Sequence, residues 1–217
     1  VNFSSGGGLT ASGGDRTGEY VQVGHGGYDD DGMFTGAINV NAAGNIVFTA
    51  GNAALSWAQI GHGGAETQGN FSGDIGVATT GGKIQFTGGV GGSPTGAYYA
   101  YAQVGHGGGN ADGNHNGKIT VTATEDDAGE GIIFEGGDQM QSYVQLGHGG
   151  WGSRSGTVGV PYGLNGDITV FSKGDIRFME GTLGNAPFSN EGGQIYAQLG
   201  HGGYDADADT SGTVPYG

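Results

Sequence analysis

The sequence predicts an all-β chain wound as a parallel β-solenoid of about five three-sided coils. Three observations carry that expectation: an octapeptide written five times, two short strand patterns that follow its copies in fixed order, and glycines at the joints between them. The octapeptide reads [Tyr/Trp]-[Val/Ala]-Gln-[Val/Ile/Leu]-Gly-His-Gly-Gly and occupies 20–27, 57–64, 101–108, 143–150 and 196–203. Recurrence at intervals of 37 to 53 residues marks a stacked architecture, because no single repeat can bury its own apolar face. One continuous body over 1–217 is expected, rather than separate globular units.

The first half of each octapeptide supplies one strand. The next pattern, Gly-x-Ile-x-Val, stands at 36–40, 73–77, 117–121 and 166–170, and Gly-x-Ile-x-Phe follows at 44–48, 82–86 and 174–178, with Glu130-Gly-Ile-Ile-Phe134 as a variant. Alternating apolar residues bounded by glycine read as half-buried strands, and no segment carries a helical period. Three strands per repeat make three sides, and the crossovers are expected to be right-handed. From the octapeptide His to the next Ile is 13 residues in three repeats and 20 in the fourth. The surplus, 151–165, reads as a loop extruded at a corner, as do 88–100, 122–129 and 181–193. Val1-Asn2-Phe3 reads as the tail of an Ile-x-Phe strand, and 211–217 echoes 155–163, so both ends are expected to fall within a repeat.

Parity assigns faces. The aliphatic position of the octapeptide (Val23, Ile60, Val104, Leu146, Leu199) and the Val or Ala two places earlier should point inward. Gln22, Gln59, Gln103, Gln145 and Gln198 should then form an outer amide ladder beside an outer aromatic ladder of Tyr20, Trp57, Tyr101, Tyr143 and Tyr196. Rungs about 4.8 Å apart disfavour stacked like charges, and Asp74, Lys118 and Asp167 alternate in sign in one slot of successive coils.

Glycine supplies 54 of 217 residues, and acidic residues outnumber basic ones 21 to 6 for a net charge of −15. Binding a polyanion needs the opposite balance, so nucleic acid is excluded as a partner and divalent cations are favoured. No apolar run approaches the roughly 18 residues that span a bilayer, so no membrane insertion by this segment is expected. The absence of cysteine excludes a disulfide framework and thiolate metal sites. With no initiator Met and no signal peptide, the chain reads as a mature or excised piece.

The pairing of Gly-x-Ile-x-Val/Phe strands with this octapeptide resembles the repeats of large bacterial exoproteins of the filamentous-haemagglutinin and autotransporter-passenger type. The resemblance implies a secreted or surface-displayed parallel β-helix used in adhesion, matrix or fibre formation.

Candidate chemistry is sparse. His25, His62, His106, His148 and His201 should form a corner column with two readings: a metal-binding or pH-sensing stack, or rings that stack and hydrogen-bond a carbonyl freed by the flanking glycines. His115 falls outside that column and reads as a loop residue. Asp205, Asp207 and Asp209 alternate as in a calcium loop, and Asp29 and Asp31 stand in the corresponding acidic turn, so calcium is the expected metal if there is one. Glu125, Asp126 and Asp127 are the one unrepeated carboxylate cluster, but four Lys and two Arg scattered along the chain build no substrate groove, so no enzyme is expected. The function expected is an extracellular or cell-surface structural rod of a fibre or adhesin, self-associating end-to-end or laterally. The alternative is a carbohydrate-binding or polysaccharide-degrading β-helix module, with surface glycans as partners.

Overall fold

The computed structural model describes residues 1–90, 99–124, 129–138, 140–155, 163–182 and 194–208. The chain climbs in coils. The first coil runs β1 (Asn2–Ser5), β2 (Leu9–Ser12), β3 (Val21–Val23) and β4 (Phe34–Thr35), and the second β5 (Ile38–Ala42), β6 (Ile46–Thr49), β7 (Ala58–Ile60) and β8 (Phe71–Ser72). The third runs β9 (Ile75–Thr79), β10 (Ile84–Thr87), β11 (Ala102–Val104) and β12 (His115–Asn116). The fourth holds β13 (Ile119–Ala123), β14 (Glu130–Glu135), β15 (Val144–Leu146), β16 (Arg154–Ser155) and β17 (Leu164–Asn165), and the fifth β18 (Ile168–Ser172), β19 (Asp175–Met179), β20 (Ala197–Leu199) and β21 (Asp207–Ala208). Every pairing is parallel and joins a strand to its counterpart one coil away. Three five-stranded sheets result, β1-β5-β9-β13-β18, β2-β6-β10-β14-β19 and β3-β7-β11-β15-β20, as expected for a parallel β-solenoid.

Like residues stack because the register keeps them in line. Ile38, Ile75, Ile119 and Ile168 are successive partners, as are Val40, Val77, Val121 and Val170. Phe48, Phe86, Phe134 and Phe178 form a column with ring centroids 5.0–5.1 Å apart. In the middle coils these inward residues are sealed from solvent. Each is worth about 1.5–3 kcal/mol against exposure, so the core is one filament of apolar side chains along the whole stack. Asp74, Lys118 and Asp167 do fall on successive rungs, and on the second sheet Glu130 lies between Lys83 and Arg177, its carboxylate 2.7 Å and 3.5 Å from their charged nitrogens. Glu130 accepts from Lys83 at 2.7 Å.

The structure corrects the sequence reading in three places. Val1-Asn2-Phe3 pairs with the Gly-x-Ile-x-Val strand, Phe3 against Val40, and not with an Ile-x-Phe strand. The expected corner loop 151–165 contains β16 and β17, with 156–162 outside the described residues. Each of the first four coils also has a fourth short side, the sheet β4-β8-β12-β17, which two-residue strands with no measurable alternation do not announce. His115 belongs to that side: it is fully buried and stacks on Phe71 at 4.9 Å, in a slot that Phe34, Phe71 and Leu164 fill in the other coils. A 13-residue spacing that looks like a turn thus hides a strand.

The first glycine after the octapeptide's aliphatic residue has a steric cause. A Cβ on Gly61 or Gly105 would lie inside contact distance of the carbonyl oxygen of Gly105 or Gly147 on the next coil. Replacing Gly105 by Ala is expected to destabilise the fold by about 3 kcal/mol or more, since backbone on both sides cannot yield. His115→Phe should act in the opposite sense. Neither ring nitrogen of His115 has a hydrogen-bond partner among the described residues, burial holds its pKa down to about 3, and Phe continues the Phe34–Phe71 stack. Urea titrations of both variants check this: a gain of about 1–3 kcal/mol is expected for His115→Phe alone, and a loss there would mean that the imidazole has an unseen partner.

Candidate functional site

The five octapeptides form one corner of the stack, where the repeated Gln and His side chains engage a neighbouring coil. The Gln amide donates upward to two glycine carbonyls of the next copy. Gln59 Nε2 reaches Gly105 O at 3.0 Å and Gly107 O at 2.7 Å, and Gln103 Nε2 reaches Gly147 O at 3.0 Å and Gly149 O at 2.7 Å. Gln22 and Gln145 repeat the pattern. The second glycine of each copy (Gly26, Gly63, Gly107, Gly149 and Gly202) holds a positive φ, from +92° to +107°, and this is what turns its carbonyl toward the amide below.

The histidines close the corner in two directions. The backbone N–H of His62 donates to Nδ1 of His106 at 3.0 Å, and the same bond joins His25 to His62, His106 to His148 and His148 to His201. An Nδ1 that accepts must carry its proton on Nε2. That Nε2–H donates to the glycine carbonyl that opens the same coil: His62 to Gly36, His106 to Gly73, His148 to Gly117 and His201 to Gly166, at 2.8–2.9 Å. The rings stack with centroids 4.9–5.1 Å apart and planes within 7°. Both nitrogens of these four rings are therefore occupied, which leaves no lone pair for a metal and favours the stacking, carbonyl-bonded reading. Burial depresses the imidazole pKa of His62, of His106 strongly, and of His148 to about 4.

The amide and aromatic ladders point away from the core, as parity requires, but they are not an outer surface. Gln59, Gln103, Gln145, Trp57, Tyr101 and Tyr143 are fully buried, and only the end residue Tyr20 is exposed, at 39%. The rings of Tyr20, Trp57, Tyr101, Tyr143 and Tyr196 stack 4.1–5.9 Å apart, and all but Tyr20 belong to a second apolar cluster with Leu55, Ala65, Tyr99 and Trp151. Two left-handed positions flank every copy and fold the chain back over it. Leu55, Tyr99, Gln141 and Gln194 hold φ between +53° and +61° two residues before the ring, and Asp29, Glu66, Asn110 and Asp205 hold φ between +51° and +57° two residues after the last glycine. The second position bears polar types that tolerate this region, a signal that was available in the sequence. Leu55 and Tyr99 carry none, and packing alone places them there. The Glu66 carboxylate is held by Tyr99 Oη and Asn110 Nδ2, each at 2.6 Å.

The acidic turns lie far apart. Asp29 and Asp31 are in the first coil and Asp205 and Asp207 in the fifth, with three coils between them, while Asp209 and the cluster Glu125, Asp126 and Asp127 lie outside the described residues. Among the described residues no group of three or more His, Asp or Glu side chains could hold a metal ion.

Two measurements check this site. Gln103→Ala removes two buried hydrogen bonds and leaves two carbonyls unpaired, so a loss of about 2–4 kcal/mol is expected in chemical unfolding. The histidine column should make the fold acid-labile. A folded pKa below the unfolded value of 6.5 means the unfolded chain binds more protons, so stability is complete above pH 6.5 and falls as pH drops toward 4. His148 alone accounts for a loss on the order of 3 kcal/mol across that window. Thermal melts from pH 7 to pH 4 should show it, and a flat profile would contradict the assigned tautomers.

No family model, curated protein or solved structure matches this chain, so what it does has to follow from this geometry.

Proposed function

We propose that the chain is a non-catalytic structural segment of a secreted or surface-displayed rod, a fibre or adhesin stalk whose stacks associate end-to-end or laterally. One observation carries the reading: the repeated Gln amides and the imidazoles of His62, His106, His148 and His201 are bonded within the stack, so the residues written five times act as scaffold rather than as binding or reacting groups. A filament-like core suits a part that transmits load and sets distance. The resemblance of the strand and octapeptide patterns to filamentous-haemagglutinin and autotransporter-passenger repeats supports an extracellular place for it. The outer face of the first sheet, with Asn39, Asn41, Thr120 and Thr169 exposed and uncharged, is suited to lateral contact. A carbohydrate module would have drawn on the aromatic ladder, which is covered.

Immunogold labelling of cells that make the protein tests this. Label along extracellular filaments or the cell surface is the expected result. Label confined to the interior, or turnover of a polysaccharide by the purified chain, would overturn the reading.

A further inference from the structure

The apolar columns of the stack do not tell one coil from another. Ile75, Ile119 and Ile168 are successive partners, as are Val77, Val121 and Val170, and Phe86, Phe134 and Phe178 follow one another in the ring column. The corner repeats as closely, with Gln103, Gln145 and Gln198 in line and His106, His148 and His201 stacked. A slipped stack, with the third coil paired directly to the fifth and the fourth looped out, would still match Ile with Ile, Val with Val and Phe with Phe. It would bury one coil less, but no mismatched side chain would mark the error, and closing a longer loop costs little extra. Charge does mark it. The chain has six Lys and Arg residues, and four of them stand where the third, fourth and fifth coils meet. Beside the first sheet, Lys118 opens the fourth coil between Asp74 and Asp167. Its backbone N–H donates to Asp74 Oδ1 at 2.9 Å, and the Ile119 N–H donates to Asp167 O. On the second sheet the signs are reversed: Glu130 of the fourth coil lies 2.7 Å from Lys83 Nζ below and 3.5 Å from Arg177 Nη1 above. On the turn side that bears β16 and β21, Arg154 of the fourth coil pairs with Asp207 of the fifth, and its N–H donates to Asp112 Oδ1 of the third at 3.2 Å. On all three sides the fourth coil carries the sign opposite to both neighbours.

We propose that this charge inversion is a register lock, which admits the fourth coil between the third and the fifth and rejects the slipped stack. In the slipped stack Asp74 would face Asp167, Lys83 would approach Arg177 and Asp112 would face Asp207, like against like on every side. Opposite charges on neighbouring strands are favourable and like charges unfavourable, so the three sides together discriminate on the order of ten- to a hundredfold. Neutralising charge for stability alone would ask only that each cation meet an anion somewhere. Inverting one coil on every side is what separates its two neighbours from each other. Asp74, Lys118, Arg154 and Asp167 are exposed, so the lock is open to solvent ions. It loosens as salt shortens the screening length to about 3 Å at 1 M, less than one rung.

Disulfide trapping reads the register in the whole chain, which has no cysteine of its own. Ala78, Thr122 and Phe171 are successive partners on the outer face of the first sheet. In the native register Ala78→Cys reaches Thr122→Cys one rung away, about 4.8 Å, whereas Phe171→Cys lies two rungs away, beyond the roughly 7 Å that a disulfide can bridge. In the slipped stack positions 78 and 171 become neighbours. The Ala78→Cys/Phe171→Cys chain is unfolded in urea and refolded, dilute and with an oxidant, at about 0.02 M and about 1 M sodium chloride. The expected result is an intramolecular 78–171 link that rises about tenfold at the higher salt, while Ala78→Cys/Thr122→Cys links at both. Reversing the fourth coil with Lys118→Asp, Glu130→Lys and Arg154→Asp makes it repel both neighbours, and the 78–171 link should then prevail at low salt. Reversing Asp74, Lys83, Asp112, Asp167, Arg177 and Asp207 as well should restore the 78–122 link. Charges that only stabilised the fold would lower the melting temperature of the first reversal without producing the 78–171 link. If that chain does not fold, the salt series on the unaltered charges decides alone. A 78–171 link that is absent at both salts or equal at both, or a reversed fourth coil that still gives only the 78–122 link, would overturn the lock.

Discussion

Parallel stacking depends here on one kind of bond: a buried side-chain donor reaching a glycine carbonyl that has no partner in its own turn. A corner of four residues, three of them glycine, frees backbone groups that a strand would have paired, and a buried unpaired carbonyl costs about 1–3 kcal/mol. The Gln amide satisfies two such carbonyls of the coil above, and the imidazole satisfies one at the start of its own coil. The corner can be this tight, and bury completely, because these two side chains complete it. The first glycine then has no alternative, since the carbonyls it must approach leave no room for a Cβ.

The constraint propagates. Because Nδ1 of His62, His106, His148 and His201 accepts from the coil below and Nε2–H of each donates sideways, these histidines are both rung-to-rung spacers and clasps closing their coils. A clasp of this kind works only for the neutral ring, which is the form burial favours. With the corner set, the flanking left-handed residues bring Ala65, Tyr99 and Trp151 over the rings and convert what would be an exposed ladder into a second core. Structure and proposed role meet there: a stack whose repeated groups face one another has little left for chemistry and much for extension.

Much of this was legible in the residues, and the failures are instructive. Strand order, coil count and inward positions follow from alternation and spacing, as the Ile and Val registers confirm. The histidine clasp was one of two chemical readings of a repeated His beside glycines. The burial of Gln59, Gln103, Trp57 and Tyr101 was not foreseen, because parity separates the two faces of a strand without saying whether a later segment covers the outer one. His115 was missed for a related reason: a lone polar residue in a spacer gives no period, and only the neighbouring coils' Phe34, Phe71 and Leu164 define its slot.

By itself, the sequence determined the repeat, the parallel stacking and the identity of the core, since these need only periodic side chains and the near-constant spacing of paired strands. The tertiary structure alone decided which outward face is sealed, where the glycine carbonyls point and which nitrogen of each histidine carries the proton. Those outcomes depend on contacts between residues some 26 to 57 positions apart, whose partners are chosen by the climb of the coil rather than by any local pattern.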